Sequence, residues 1–170
     1  MNAGMELKSA LTGQFRAGLA MLRESVELCP DDLWSATVDK PPRTYWRIAY
    51  HATFYTHFYL SQRESDFVRW DRHVGHAAMT FADEGQELPP AETLYTQGDM
   101  IEYIDFLSER IGGMIDVLDL ESPESGFAWY EGFPKMDHVL LALRHLGVHV
   151  GQLQELLYAR GIEPDWISKG

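Results

Sequence analysis

Cysteine is nearly missing from this 170-residue chain. Cys29 stands alone, which excludes an internal disulfide framework and a Cys-rich zinc knuckle, and predicts a reducing, cytoplasmic setting. Positive charge is scarce as well: 14 Lys and Arg face 26 Asp and Glu, for a net charge of −12. Phosphate backbones are bound through Lys and Arg with release of counterions, so nucleic acid is not an expected partner. Long apolar runs are absent. Nothing approaches the ~20 residues that cross a bilayer, and Met1 to Ala10, with Glu6 and Lys8, lacks the basic-then-apolar layout of a secretory signal. No membrane partner is expected. Several chemistries are missing too. There is no Glu-x-x-His of the di-iron carboxylate bundles, no His-Glu-x-x-His, no phosphate loop, no nucleophile elbow and no C-x-x-C-H haem site.

What is present is apolar surface at helical spacing. Hydrophobic residues make up 45% of the chain and aromatics 12%, enough for the core of one domain spanning residues 1–170. Leu7, Leu11, Phe15, Leu19, Leu22 and Val26 recur at three- and four-residue steps and predict a first helix from Met5 to Leu28. Pro30 closes it, and Asp31 to Trp34 form a short extra turn. After Pro41 and Pro42, a second helix is expected from Thr44 to Trp70, with Ile48, His51, Tyr55, Phe58 and Gln62 on one face. A long loop through Gly75, Gly85, Pro89 and Pro90 separates it from a third helix, which Asp99 and Glu102 open as a capping box. Met100, Ile104, Leu107, Ile111, Met114 and Leu118 carry the stripe of that helix. The fourth runs from Met136 to Arg160 and stops at Gly161, with Pro164 beyond it and Trp166 expected to pack the tail back. Four rods with one apolar stripe each bury it best against one another, so the expected fold is all-α, a four-helix bundle with a long loop between helices 2 and 3.

Seven histidines carry the functional signal. His145 and His149 are four apart in an apolar helix, about 40° from each other around the axis and one turn apart, so both rings reach one ion. The spacing alone is weak, because a chain with this many histidines often shows such a pair by chance. The context is His51, in the middle of a second apolar rod between Ile48, Phe54 and Tyr55. A buried imidazole left without a partner costs about 1–3 kcal/mol. Three of them pointing inward from two helices are satisfied together by a divalent ion, or singly by carbonyls and hydroxyls, and both readings stand on spacing alone.

The other residues near the triad read more simply. His138 belongs at the surface near the helix start, His57 is structural, and His73 and His76 are solvated in the long loop. Gln152 lies on the His145/His149 side and suits a hydrogen bond to a ligand or to the metal shell, whereas Arg144 projects elsewhere, into an ion pair. Tyr55, one turn after His51, packs. Gly147 and Gly151 each cost ~1 kcal/mol in a helix interior, which close helix packing would offset.

The segments "YWRIAYHATFYTHFYL", "SGFAWYEGFPKMDHVLLALRH" and "LRHLGVHVGQLQELLYARG", with H-x-x-x-H-x-G-Q-L in the last, together resemble the DinB-like helical-bundle family of metal-dependent enzymes. The resemblance covers nearly the whole chain in helix order and motif placement. It implies metal ligands at His51, His145 and His149, with water completing the shell of a divalent ion, zinc or nickel foremost. It also implies a homodimer and, as in some relatives, a low-molecular-weight thiol in transferase or isomerase chemistry.

Three protein ligands with an open position is the catalytic pattern for zinc. The expectation is therefore a metal-dependent transferase or hydrolase that activates a thiol or water against a small-molecule substrate. The opposing reading is a non-catalytic bundle that binds metal or a partner through its long loop. No catalytic side chain and no organic cofactor site is identified.

Overall fold

The stripe Leu11, Phe15, Leu19, Leu22 and Val26 winds α1 (Ala3–Glu27) and is almost wholly withdrawn from water. A computed structural model of the chain describes residues 3–81, 85 and 92–170; Pro89 and Pro90, placed in the long loop above, lie outside the described residues. Pro30 ends α1, and Asp31–Trp34 form the short α2, whose Trp34 indole donates to the Tyr95 carbonyl at 2.9 Å. The cis Pro41–Pro42 turn leads into α3 (Tyr45–Tyr59). This helix is apolar nearly all round and buried nearly all round, as a helix of that composition must be.

α3 stops at Tyr59, eleven residues short of the expected Trp70. Polar groups beyond Leu60 are engaged elsewhere: Ser61 O accepts from Lys135 Nζ at 2.9 Å, Gln62 Oε1 from Asp119 N at 2.8 Å, and Glu64 N donates to Gly126 O at 3.0 Å. The chain continues through short 3₁₀ turns at Glu64–Asp66 and Gly75–Ala78.

α4 (Gln97–Asp116) begins one turn before the expected Asp99 cap. Thr96 is the N-cap: its hydroxyl accepts from Asp99 N at 3.1 Å, and the Asp99 carboxylate accepts from Thr96 N at 2.8 Å. Asp99 is thus the third residue of the box rather than its first, since only from there does its side chain reach back to an unpaired amide.

α5 (Lys135–Tyr158) ends as expected. Gly161, at φ 73°, lets its own N–H reach Tyr158 O and the Ile162 N–H reach Leu157 O, which satisfies two terminal carbonyls.

α1 packs on α4 and α5, and α3 packs on α5 and α4, so the core lies between four long helices. The close approach that Gly147 and Gly151 were expected to serve occurs elsewhere. A Cβ on either would meet open space, whereas one on Gly18 of α1 would fall 2.8 Å from Leu146 Cδ2 of α5.

Trp166 does not pack the tail and is exposed. Bonds to tail backbone atoms do so, Gly170 N to Gly13 O at 3.1 Å and Asp165 N to Glu24 Oε2 at 3.1 Å among them, with Ile162 and Ile167 turned inward and Trp166, beside Ile167, turned out. Among the described residues there is no strand, only an isolated Thr37–Thr44 bridge, and no helix is long and apolar enough to cross a membrane. The class is all-α.

Candidate metal centre

The α3–α5 contact brings the three histidines together. His51 projects from the middle of α3 and is buried; His145 and His149 project from successive turns of α5 and are half-buried. His145 Nε2 lies 3.0 Å from His51 Nε2 and 3.1 Å from His149 Nε2. One ligand atom from each ring lies within 4.8 Å of the other two, so the group can hold a metal ion. Two nitrogens that are each about 2.0–2.1 Å from one ion, and roughly 90–110° apart around it, are separated by about 2.9–3.4 Å. The two short separations fit that spacing.

The outer nitrogens show which tautomers are present. His51 Nδ1 lies 2.6 Å from the Ala78 carbonyl, an acceptor only, so Nδ1 carries the hydrogen and Nε2 presents a lone pair. His149 Nδ1 lies 2.9 Å from Gln152 Oε1, with the same consequence. Two lone pairs therefore converge on His145 Nε2. If His145 also carries its hydrogen on Nδ1, all three lone pairs meet at one point, and a cation is the group that resolves the clash. His145 Nδ1 is buried with no hydrogen-bond partner among the described residues.

Protonation does not supply that cation. Burial, reinforced by the neighbouring ring of His149, pushes His51 down to about 3, and the same two causes push His145 down to about 4. His149 is lowered too, chiefly by burial, against the opposing pull of its bond to Gln152. All three are neutral near pH 7, the state in which imidazole ligates metal.

The cluster opens onto a cavity of about 700 Å³ walled by Arg43, Tyr55, Tyr59, Thr80, Phe81, Trp129, Tyr130 and Gln152. Only Gln152 and Tyr55 among these were singled out by the sequence. Gln152 lies on the His145/His149 side, as expected, and its Oε1 is 2.9 Å from His149 Nδ1, while the Tyr55 ring sits 4.5 Å from that of His51. Tyr59 closes α3, and the rest come from segments read as connections; the signal available for Trp129 and Tyr130 was the density of aromatics in residues 127–133.

The remaining histidines divide. His57 is buried and bonded to the Tyr103 hydroxyl at 3.0 Å, a structural role as expected. His73 is not a solvated loop residue: it pairs with the Tyr50 hydroxyl at 2.6 Å and stacks on Phe54. His76 is half-buried, with its Nε2 unpartnered among the described residues. His138, expected at the surface, is fully buried among Tyr59, Phe127 and Tyr130, because the 122–134 connection folds over the start of α5. Arg144 is exposed and makes no ion pair among the described residues.

No family model, curated protein or solved structure matches the chain.

Proposed function

We propose that the chain is a metal-dependent enzyme in which His51, His145 and His149 hold a divalent ion, zinc or nickel, at the floor of the cavity. The observation that carries this is the convergence of three neutral Nε2 atoms, two of them with lone pairs fixed by Ala78 O and Gln152 Oε1. Three imidazoles are a donor set suited to both metals. The motif resemblance and the four long helices support a four-helix bundle of DinB-like type, and with it a homodimer and a low-molecular-weight thiol as co-substrate.

An ion held by three protein ligands supplies a Lewis acid that brings the pKa of a water or thiol toward neutrality. The chain's own side chains do the rest. The Ala78 carbonyl and the Gln152 amide fix the orientation of two rings and keep their protons on the outer nitrogens. Tyr55 and Tyr59 wall the cavity beside the cluster, and their hydroxyls stay protonated because burial raises both pKa values. Among the described residues, no thiol or carboxylate stands in this wall to compete as a nucleophile. Cys29 is not part of it, and burial pushes its thiol up to about 12.

The reaction class is then transfer of a thiol, or of water, onto a small electrophile. Turnover of cysteine with 1-chloro-2,4-dinitrobenzene, with and without chelator, tests it: chelation should abolish the catalysed rate and zinc or nickel should restore it. A rate indifferent to chelator and to His149→Ala would overturn the proposal.

A further inference from the structure

The charge lining the cavity runs against that of the chain. Of 26 Asp and Glu, none is among the described residues that wall it, and among those residues the one full side-chain charge is the guanidinium of Arg43. Arg43 reaches the wall from the turn after Pro41–Pro42, where its Nη1 donates to Asp39 Oδ2 at 2.7 Å. Asp39 is half exposed and outside the wall, so it braces one nitrogen of the fork and leaves the other donors unassigned. A planar fork with spare donors matches a carboxylate.

Two further features agree with an anionic ligand that carries an apolar body. Trp129 and Phe81 are 53% and 60% exposed at this wall, large apolar rings left partly open to the cavity by the described residues. The Tyr59 and Tyr130 hydroxyls face each other at 3.3 Å, and since one hydrogen serves that contact, the second has no acceptor among the described residues. A volume of about 700 Å³ accommodates a small organic molecule.

We infer that the cavity takes a small carboxylate with an aromatic or apolar body, its carboxylate bound by Arg43 and its body lying against Trp129 and Phe81. This rests on the reading of the cavity as the working site, and it names the class of molecule that the site accepts.

Calorimetric titration of the full chain with 3-phenylpropionate and with its uncharged amide, in metal-loaded and metal-free protein, tests the assignment. The carboxylate should bind about tenfold or more tightly than the amide, the margin of a charge-assisted hydrogen bond. Arg43→Gln should erase the preference in both metal states without changing metal content, and Arg43→Lys should keep part of it. Circular dichroism and melting would establish that both variants are folded.

Equal binding of the two probes, binding of neither, or a preference that survives Arg43→Gln would overturn the inference. The arms also separate it from the metal proposal. An Arg43-dependent preference in a chain that takes up no metal removes the metal and leaves the carboxylate site. Metal uptake without the preference does the reverse.

Discussion

His138→Phe should flatten the acid side of the stability curve. The imidazole is fully buried in an aromatic cage, and neither ring nitrogen has a hydrogen-bond partner among the described residues. Burial first, and the nearby charge of Lys135 second, push it down to about 4. In the unfolded chain a histidine titrates at about 6.5. As pH falls through 6.5 the unfolded state takes up a proton that the folded state refuses, so stability is complete above that value and declines below it. The decline ends near pH 4, where the folded ring also protonates. Between pH 7.5 and pH 5 this one group removes about 2 kcal/mol.

Phenylalanine has no proton to take up. Whatever offset the variant shows at pH 7.5, its stability relative to the parent should therefore rise by about 2 kcal/mol at pH 5. Urea unfolding at the two values, both proteins in chelator so that metal release contributes nothing, reads the difference directly. Parallel pH dependence of parent and variant would refute the reasoning, and would mean that the ring is protonated or hydrated in the folded state.

Three other outcomes follow from contacts described above. Gln152→Leu should weaken metal binding about 10–100-fold, because His149 loses the acceptor that fixes its tautomer; competition against a chelating dye measures it. Thr96→Ala should cost about 1 kcal/mol in urea unfolding by opening the capping box of α4, with metal affinity unchanged. Cys29, buried and with its thiol pushed up to about 12, should react with a thiol reagent at neutral pH far more slowly in the folded chain than in urea.

The triad was legible because it depends on local periodicity. His145 and His149 share a helix face through their spacing alone, and His51 sits at the centre of a rod whose composition already demands burial. What was not legible depends on chain segments far apart in sequence. His138 is buried by residues 127–130, which fold over it, and no pattern within α5 announces that cover. The end of α3 at Tyr59 is set by partners at Asp119, Gly126 and Lys135, so the aromatic run to Trp70 misled. The Asp99–Glu102 spacing and the Thr96–Asp99 spacing both suit a capping box, and the structure alone distinguishes them. Gly18 had no feature marking it, since its role is to admit Leu146 from another helix, while Gly147 and Gly151 drew notice and face open space. The cavity wall was least visible of all, because Arg43, Phe81, Trp129 and Tyr130 lie outside the long helices.

The proposed chemistry turns on whether three rings from two helices share one ion. Equilibrium dialysis of the purified chain against zinc and against nickel, with bound metal counted by mass spectrometry, asks this directly. The account predicts one ion per chain, with His51→Ala, His145→Ala and His149→Ala each losing it while remaining folded. Retention of the ion by all three variants, or a parent chain that takes up neither metal, would contradict it.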